Sequence, residues 1–412
     1  MPRKPELLIP ASSLEVLKVA CAFGADAVYI GGDAYGLRAK AKNFSHDDMA
    51  EGIRYAHSKG VKVHVTVNIL AHNYDLEGIR EYIRELRELG PDAFIIADPG
   101  VFEIAKEEAP EIERHISTQA NNTNYATCNF WYRQGAQRVV MARELSVEEI
   151  REVRANTDPG LQIEAFIHGA MCMSYSGRCM LSNFLTGRDA NRGECTHPCR
   201  WKYALVEEKR PGEYMPVFEN ERGTYIFNSK DLCMIDHIPD LVEAGIDSFK
   251  IEGRMKTALY VATVARTYRH AIDDYFESRD KYLKNLPLYH ERISECTFRE
   301  FTTGFFYGKP GPDDHVYDND DYNVKYIYLG MCEGTENGRV VTTQKNKYCV
   351  GDTIEVMKPD GSNIEVTVKG IRAEDGTEQD SAPHPQQKLT IDIGYLPEKY
   401  DILRKKNPET GE

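Results

Sequence analysis

Eight short apolar segments in the first 255 residues constrain the fold of this chain more than any other feature. These segments, which are rich in β-branched residues, span 7–10, 27–32, 62–69, 93–99, 115–121, 138–145, 163–169 and 248–254. Helix-like segments lie between most of them, and three of these (14–24, 47–60 and 76–90) show apolar spacing of about 3.6 residues and end in glycine. Strands that alternate with helices predict a parallel sheet covered by helices.

The count of eight strands predicts an α/β fold of the (β/α)8 TIM-like barrel type. The alternative is a doubly wound open sheet, but no GxGxxG segment follows the first strand. The connection between the seventh and eighth strands is the longest one and contains a cysteine-rich insertion at about 170–235. Because the chemistry of such barrels lies on the loops that follow the strands, we expect this insertion on the active face.

The pattern changes after the eighth strand. The predicted barrel domain spans 1–283, and a linking segment that ends in an acidic, loop-like stretch spans 284–321. Residues 322–412 contain short alternating segments that are separated by turns such as PDGS and EDGT. This pattern predicts a small C-terminal β-barrel domain.

The charge and hydropathy of the chain limit its partners. The net charge of −14 argues against a generic nucleic-acid binder, although residues 172–202 carry five basic side chains against two acidic ones. No apolar run is long enough to span a membrane, and the first apolar stretch is too short for a signal peptide. We therefore expect a cytoplasmic protein without a membrane partner, in which the cysteines are reduced.

Four of the ten cysteines lie in the insertion, with the spacing Cys-x6-Cys-x15-Cys-x3-Cys. They are Cys172, Cys179, Cys195 and Cys199. Four thiolates bind either an iron–sulfur cluster or a structural zinc ion, and His197 is an alternative ligand. Neither pair has the CxxC spacing of zinc knuckles, which weakly favours the cluster. The chain contains no HExxH and no GxSxG segment, so no known protease machinery is evident.

Alternation along the strands places polar side chains together toward the mouth of the predicted barrel. Glu164 and His168 share one face of the seventh strand, and Lys250 and Glu252 share one face of the eighth. Carboxylates beside cations are suited to acid–base work, so these four are the candidate catalytic residues. The further candidates for substrate binding on the strands are Asn68, Asp98, His115, Gln119, Arg143 and Arg254.

The segment 164–203 resembles the collagenase-like peptidase family of unassigned catalytic type, known as peptidase family U-32. The family signature matches Glu164, Phe166, Gly169, Cys172, Gly177, Cys179 and Ser182. The segments ELLIPASSLEVLKVACAFGADAVYIGG, RHISTQANNTN, GTYIFNSKDLCMI and FKIEGRMKT match the family as well, so the resemblance covers nearly the whole chain. Within the family, CTHPCRWKY and GTYIFNSKDL are similar to the branch that hydroxylates tRNA.

The resemblance implies an enzyme that converts the wobble uridine of tRNA to 5-hydroxyuridine, with prephenate as cosubstrate. It also implies a 4Fe–4S cluster on the four cysteines of the insertion, and an electron donor is a further expected partner. Arg178, Arg188, Arg200 and Trp201 are then candidates for contacts with the phosphates and a base of the anticodon loop. Arg143, Lys250 and Arg254 are candidates for binding the anionic cosubstrate.

Two other functions remain open at this stage. Related branches of the family hydroxylate ribosomal RNA or act in the synthesis of a small molecule, ubiquinone. The family name also makes a peptidase possible in principle, but the sequence offers no protease residues for it.

Overall fold

The structure is a computed structural model that describes residues 3–32, 34–35, 44–171, 175, 179–188, 190, 195–196, 198, 204–205, 215–216, 228–310, 315–316 and 324–408. The chain forms two compact units. The first comprises residues 1–14, 26–255 and 299–321, and the second comprises residues 15–25, 256–298 and 322–412.

Eight parallel strands form a closed barrel in the first unit. They are β1 (Glu6–Pro10), β2 (Ala27–Gly31), β3 (Lys62–Val67), β4 (Ala93–Ile96), β5 (Glu113–Ile116), β6 (Arg138–Val140), β7 (Gln162–Ala170) and β12 (Ser248–Ile251). Each strand pairs with the next, and β12 pairs with both β7 and β1. The predicted TIM-like barrel is therefore confirmed, and the doubly wound alternative is wrong because an open sheet has no such closing pair.

Helices alternate with these strands. Those of the first unit are α2 (His46–Ser58), α3 (Leu76–Leu89), α4 (Pro99–Glu108), α5 (Tyr125–Gln134), α6 (Val147–Ala155), α7 (Leu181–Thr186) and α8 (Ile238–Glu243). The α3 helix buries Ile79, Ile83 and Leu86, which share one face, and ends at Gly90 in the left-handed conformation. The α6 helix begins with the capping box of Ser146 and Glu149.

Short strands lie between β7 and β12. They are β8 (Ala204–Leu205), β9 (Met215–Pro216), β10 (Asn228–Ser229) and β11 (Asp231–Cys233). The β8 and β9 strands pair with each other, and β10 pairs with β14 (His315–Val316). The β11 strand runs antiparallel to the end of β7 and parallel to β13 (Phe301–Thr302). The sheet therefore continues beyond the barrel at β7, where the insertion begins.

The second unit combines α1 (Leu14–Ala22), α9 (Ala258–Glu277) and α10 (Arg279–Ile293) with antiparallel sheets. Its strands are β15 (Tyr326–Met331), β16 (Gly334–Glu336), β17 (Arg339–Thr343), β18 (Tyr348–Cys349), β19 (Thr353–Met357), β20 (Asn363–Thr367), β21 (Gly370–Ala373), β22 (Glu378–Gln379), β23 (Ser381–Ala382), β24 (Lys388–Asp392) and β25 (Ile402–Lys406). They form a four-stranded, a five-stranded and a two-stranded sheet around one apolar core that includes Val340, Val356 and Ile391. A C-terminal domain of antiparallel strands is confirmed.

The α10 helix crosses residue 283, where the sequence places the end of the barrel domain. The first part of the predicted linking segment is thus helical, and it groups with the C-terminal sheets. A buried ion cluster contributes to this grouping: Arg404 of β25 donates to Glu295, just after α10, at 2.8 Å and also pairs with Glu355. In the part of the chain that the structure describes, no helix has the length and apolarity needed to cross a membrane.

Candidate active site inside the barrel and at its mouth

A buried ion pair joins two of the candidate catalytic residues. Lys250 Nζ donates to Glu164 Oε1 at 2.7 Å, and both side chains are buried. The β7 and β12 strands are neighbours, and Ser248 lies opposite Glu164. Because side chains alternate along a strand, Glu164 and Lys250 then point to the same face of the sheet, toward the barrel interior. The contact lies in the barrel interior, below the mouth where the sequence places it.

Arg138 extends this pair into a chain of four charges. Its Nη1 donates to Glu164 Oε2 at 2.9 Å and to Glu6 Oε1 at 2.5 Å. Burial alone would raise the pKa of Glu164, but the charges of Lys250 and Arg138 outweigh burial and lower it to about 2. The pKa of Glu6 is likewise lowered, because Arg138 outweighs burial. Two carboxylates and two cations give the chain of charges no net charge, as a stable buried cluster requires.

Two buried histidines line the same interior. The rings of His64 and His115 meet edge to face, with their centroids 4.7 Å apart. Burial lowers the pKa of His64 to about 4 and the pKa of His115 well below its usual value. Both rings are therefore neutral near pH 7. Among the described residues, neither Nδ1 atom has a hydrogen-bond partner.

Two aromatic rings cover the ion pair on the side of the mouth. Lys250 Nζ lies 4.5 Å from the centroid of the Tyr29 ring and 5.4 Å from that of Phe166. The Tyr29 hydroxyl donates to the Ile251 carbonyl at 2.9 Å. Cations held against ring faces are stabilised electrostatically, so these rings add favourable contacts to Lys250 inside the barrel.

The mouth itself carries two arginines and a carboxylate. Arg143 Cζ lies 3.9 Å from the Phe166 centroid, its Nη1 donates to the Ala170 carbonyl at 2.6 Å, and its Nη2 lies 3.9 Å from Glu252 Oε2. The Arg143 Nε atom is buried and has no hydrogen-bond partner within the described ranges. Arg254 donates to Thr66 Oγ1 at 2.9 Å from the neighbouring side of the barrel. This arrangement can accept an anion in a largely buried site.

Two glycines make room for these groups. A Cβ atom at Gly31 would lie 2.8 Å from Arg254 Nη1, which shows how closely the guanidinium packs on β2. Gly169, a residue of the family signature, has a φ of +108°, and a Cβ atom there would collide with the backbone carbonyl of Glu252. The signature glycine is therefore needed for the close approach of β7 and the segment after β12.

The remaining strand candidates lie around this mouth. His168 is buried opposite Cys233 of β11, and its ring centroid is 5.7 Å from that of Phe301. Asn68 donates to Ser117 at 3.3 Å, so the side chains that follow β3 and β5 meet. Gln119 is buried, and Oε1 of its amide has no hydrogen-bond partner within the described part of the chain.

Asp98 makes a local structural contact at the start of α4. Its Oδ1 caps α4 by accepting the Val101 N–H at 3.1 Å. A capping carboxylate offsets the unpaired N–H groups of the first helical turn. Asp98 therefore has a helix-capping contact, and its predicted part in substrate binding stays a prediction.

The cysteine-rich insertion is described in part. Cys172, Cys199, Arg178, Arg200, Trp201 and His197 lie outside the described residues. Cys179 is half-buried and Cys195 is exposed, and neither cysteine is in a disulfide. Arg188 is exposed as well. The side chain of Ser182 accepts the Thr196 N–H at 3.1 Å, and the two hydroxyls are also 3.1 Å apart.

This hydrogen-bonded contact bears on the metal prediction. Ser182 lies three residues after Cys179, and Thr196 follows Cys195 directly. The contact therefore holds together the two segments that carry the described thiols. Soft thiolates are the ligands that iron–sulfur clusters use, so the described part of the donor set fits such a cluster, and it fits zinc as well.

Several residues of this site were not predicted from the sequence. Glu6, Arg138 and Tyr29 carry much of the interior network, yet none was among the candidates. Glu6 and Arg138 are the first residues of short strands, a position where a charge usually marks a solvent-exposed end. The only sequence signal was that Glu6 lies two residues before Leu8, and Arg138 two residues before Val140, so each pair shares a strand face. That spacing does not reveal partners across a barrel.

Comparison with known proteins places the chain in a family. A model of peptidase family U32 matches residues 12–315, and a model of the C-terminal domain of that family matches residues 325–404. The chain belongs to peptidase family U32. The predicted resemblance is thereby confirmed over both units of the molecule.

Several proteins similar to this chain bear names that describe RNA hydroxylation. The chain is 42% identical to tRNA hydroxylation protein P1 of Bacillus subtilis, with 98% of this chain and 95% of the relative covered. It is 39% identical to tRNA hydroxylation protein P of Escherichia coli, with 92% of each covered. It is 35% identical to the 23S rRNA 5-hydroxycytidine C2501 synthase of Escherichia coli, over 89% of this chain and 54% of the relative.

Proposed function

We propose that this chain is an RNA-modifying hydroxylase that converts the wobble uridine of tRNA to 5-hydroxyuridine in the cytoplasm. The observation that carries the proposal is its similarity, over nearly the whole length of both chains, to proteins named for tRNA hydroxylation. The ribosomal RNA enzyme is less similar, and the match covers only about half of it. We therefore favour tRNA as the substrate.

The barrel mouth supports binding of an anionic cosubstrate, for which we propose prephenate. Prephenate carries two carboxylates, and Arg143 and Arg254 offer two guanidinium groups at the mouth. The buried Nε of Arg143 has no hydrogen-bond partner among the described residues, so an incoming carboxylate would satisfy it. Buried arginines bind carboxylates through charge-assisted hydrogen bonds, which are stronger than neutral ones.

The insertion supports a 4Fe–4S cluster as the cofactor, held by Cys172, Cys179, Cys195 and Cys199. Replacing the C5 hydrogen of uridine by a hydroxyl group from water releases two electrons and two protons. When bound, the cluster would pass these electrons one at a time to an electron-transfer partner that accepts them. An electron-transfer partner is part of this proposal. The residues of the chain would bind and orient the reactants. The two arginines would bind the cosubstrate, and the barrel mouth would accept the base.

The proposal is tested with anaerobically purified protein, a one-electron acceptor dye and tRNA that lacks 5-hydroxyuridine, incubated with and without prephenate. We expect iron and sulfide in the protein and 5-hydroxyuridine in the digested tRNA, both strongly reduced in Cys179→Ser. Cys349→Ser changes a half-buried cysteine in the second unit and serves as the matched control, with iron content and activity retained.

Each part of the proposal has its own contradicting result. Stoichiometric zinc in a colourless active protein would contradict the cluster. Product formed equally well without prephenate would contradict the cosubstrate. Hydroxylated ribosomal RNA with unmodified tRNA would favour the substrate of the more distant relative.

A further inference from the structure

Two exposed, stacked rings lie in the loop that follows β3. The ring centroids of His72 and Tyr74 are 5.3 Å apart, and the ring planes differ by only 11°. The Tyr74 side chain is 74% exposed, and His72 is exposed as well. The two rings therefore form a short aromatic stack that is exposed to solvent on the loop side of the barrel strand.

The backbone around these rings is held in place by a buried carboxylate. Asp75 Oδ2 accepts the His72 N–H at 2.9 Å, and the Asp75 N–H donates to the His72 carbonyl at 2.8 Å. Asp75 is itself buried and immediately precedes α3. Because the chain is fixed on both sides of Tyr74, the turn presents the ring to solvent in a defined direction.

The position of the turn connects it to the mouth. The β3 strand ends at Val67, Asn68 then contacts Ser117 at the mouth, and the turn begins four residues later. Loops after other barrel strands also expose apolar side chains, with Phe184 after β7 at 85% and Met255 after β12 at 57%. Exposed apolar groups that gather on one face of a protein mark an interaction surface.

We infer that His72 and Tyr74 stack on a base of the single-stranded RNA loop, next to the uridine that enters the barrel. This inference rests on the proposed function and names the residues that would recognise its substrate class. A base that leaves its stack exposes its neighbour, and an aromatic surface restores the lost stacking. Stacking suits this chain in particular, because its net charge of −14 provides little general attraction for phosphates.

The test uses the purified holoprotein and an anticodon stem-loop RNA with 2-aminopurine beside the wobble uridine. Binding and fluorescence are measured together, because the fluorescence of 2-aminopurine reports stacking directly. Tyr74→Leu keeps an apolar side chain and should weaken binding by about 5- to 150-fold, the range found when a stacked aromatic is replaced by alanine. Tyr74→Trp should retain both tight binding and the fluorescence change.

Phe130→Leu is the matched control, because Phe130 is an exposed aromatic that lies on the α5 helix and not in the loop after β3. It should bind like the wild-type protein. If the wild-type protein binds and Tyr74→Leu matches it in affinity and fluorescence, the stacking inference is wrong and the proposed function stands. If Tyr74→Trp behaves like Tyr74→Leu, stacking is likewise wrong. If the wild-type protein does not bind the RNA, the proposed tRNA function itself is overturned.

Discussion

At the scale of single residues, the barrel interior is held together by charges that neutralise one another. Glu6, Arg138, Glu164 and Lys250 form a continuous chain of contacts, and each cation touches at least one carboxylate. Removing one member leaves a partner charged and buried, which costs more than the pair contributes. Glu164 and Lys250 therefore stabilise the fold, independently of any role in the reaction.

Glu164→Gln should lower the free energy of unfolding by about 3–5 kcal/mol, because it leaves Lys250 without its carboxylate. The measurement is urea denaturation followed by circular dichroism. The double variant Glu164→Gln/Lys250→Met removes the uncompensated charge and should recover part of the loss. A single variant as stable as the wild-type protein would show that the pair is not buried as described.

His64 should make the stability of the protein depend on pH in mildly acidic solution. Its pKa is lowered to about 4 by burial, next to Glu6, Arg138, Glu164, Lys250 and His115. The unfolded chain takes up a proton as the pH falls below about 6.5, whereas the folded protein does so only near pH 4. Stability is therefore lost as the pH falls through this window.

The size of this effect is measurable. Between pH 7 and pH 5 the wild-type protein should lose about 2 kcal/mol more unfolding free energy than His64→Gln does. Urea denaturation of both proteins at the two pH values provides the comparison. Equal losses in the two proteins would mean that His64 titrates in the folded state as it does in the unfolded chain.

At the scale of elements, strand alternation predicted more of the site than motifs did. Parity placed Glu164 and Lys250 on inward faces, and the contact between them follows from it. Parity could not show that Arg138 reaches Glu6, because partners across a closed barrel depend on the stagger of all eight strands. The stack of His72 on Tyr74 was also beyond prediction, because it depends on the conformation of one turn.

Gly169→Ala tests the closest approach between two of these elements. The change introduces a side chain at a φ of +108° and drives its Cβ into the Glu252 carbonyl. We expect a loss of stability of about 1–3 kcal/mol, together with impaired catalysis because Glu252 moves. Gly90→Ala is the matched control: its φ is also positive, but a Cβ there meets nothing within 4 Å.

The two glycine variants are compared by denaturation and by hydroxylation activity. Gly90→Ala should lower the free energy of unfolding by about 1 kcal/mol, because only the backbone conformation is penalised there. It should leave activity unchanged. If both variants lose the same free energy of unfolding and keep full activity, the close contact between Gly169 and Glu252 is not needed for catalysis.

At the scale of the whole molecule, the chain contains a closed barrel, a partly described cysteine-rich insertion and a C-terminal unit of antiparallel sheets. The fold class and the family were predictable from the sequence because both rest on patterns that extend along the whole chain. The ligand set of the insertion was predicted from spacing and resemblance, and it stays a prediction because two of its four cysteines lie outside the described residues.

The most direct test of the central claim is mass spectrometry of tRNA nucleosides from cells that lack their own tRNA uridine hydroxylation proteins. We predict that expression of this chain produces 5-hydroxyuridine or its further-modified derivatives at the wobble position. Cys179→Ser, expressed to the same level, should produce none. Wobble uridine that stays unmodified while the wild-type chain accumulates as folded, iron-containing protein would contradict the account.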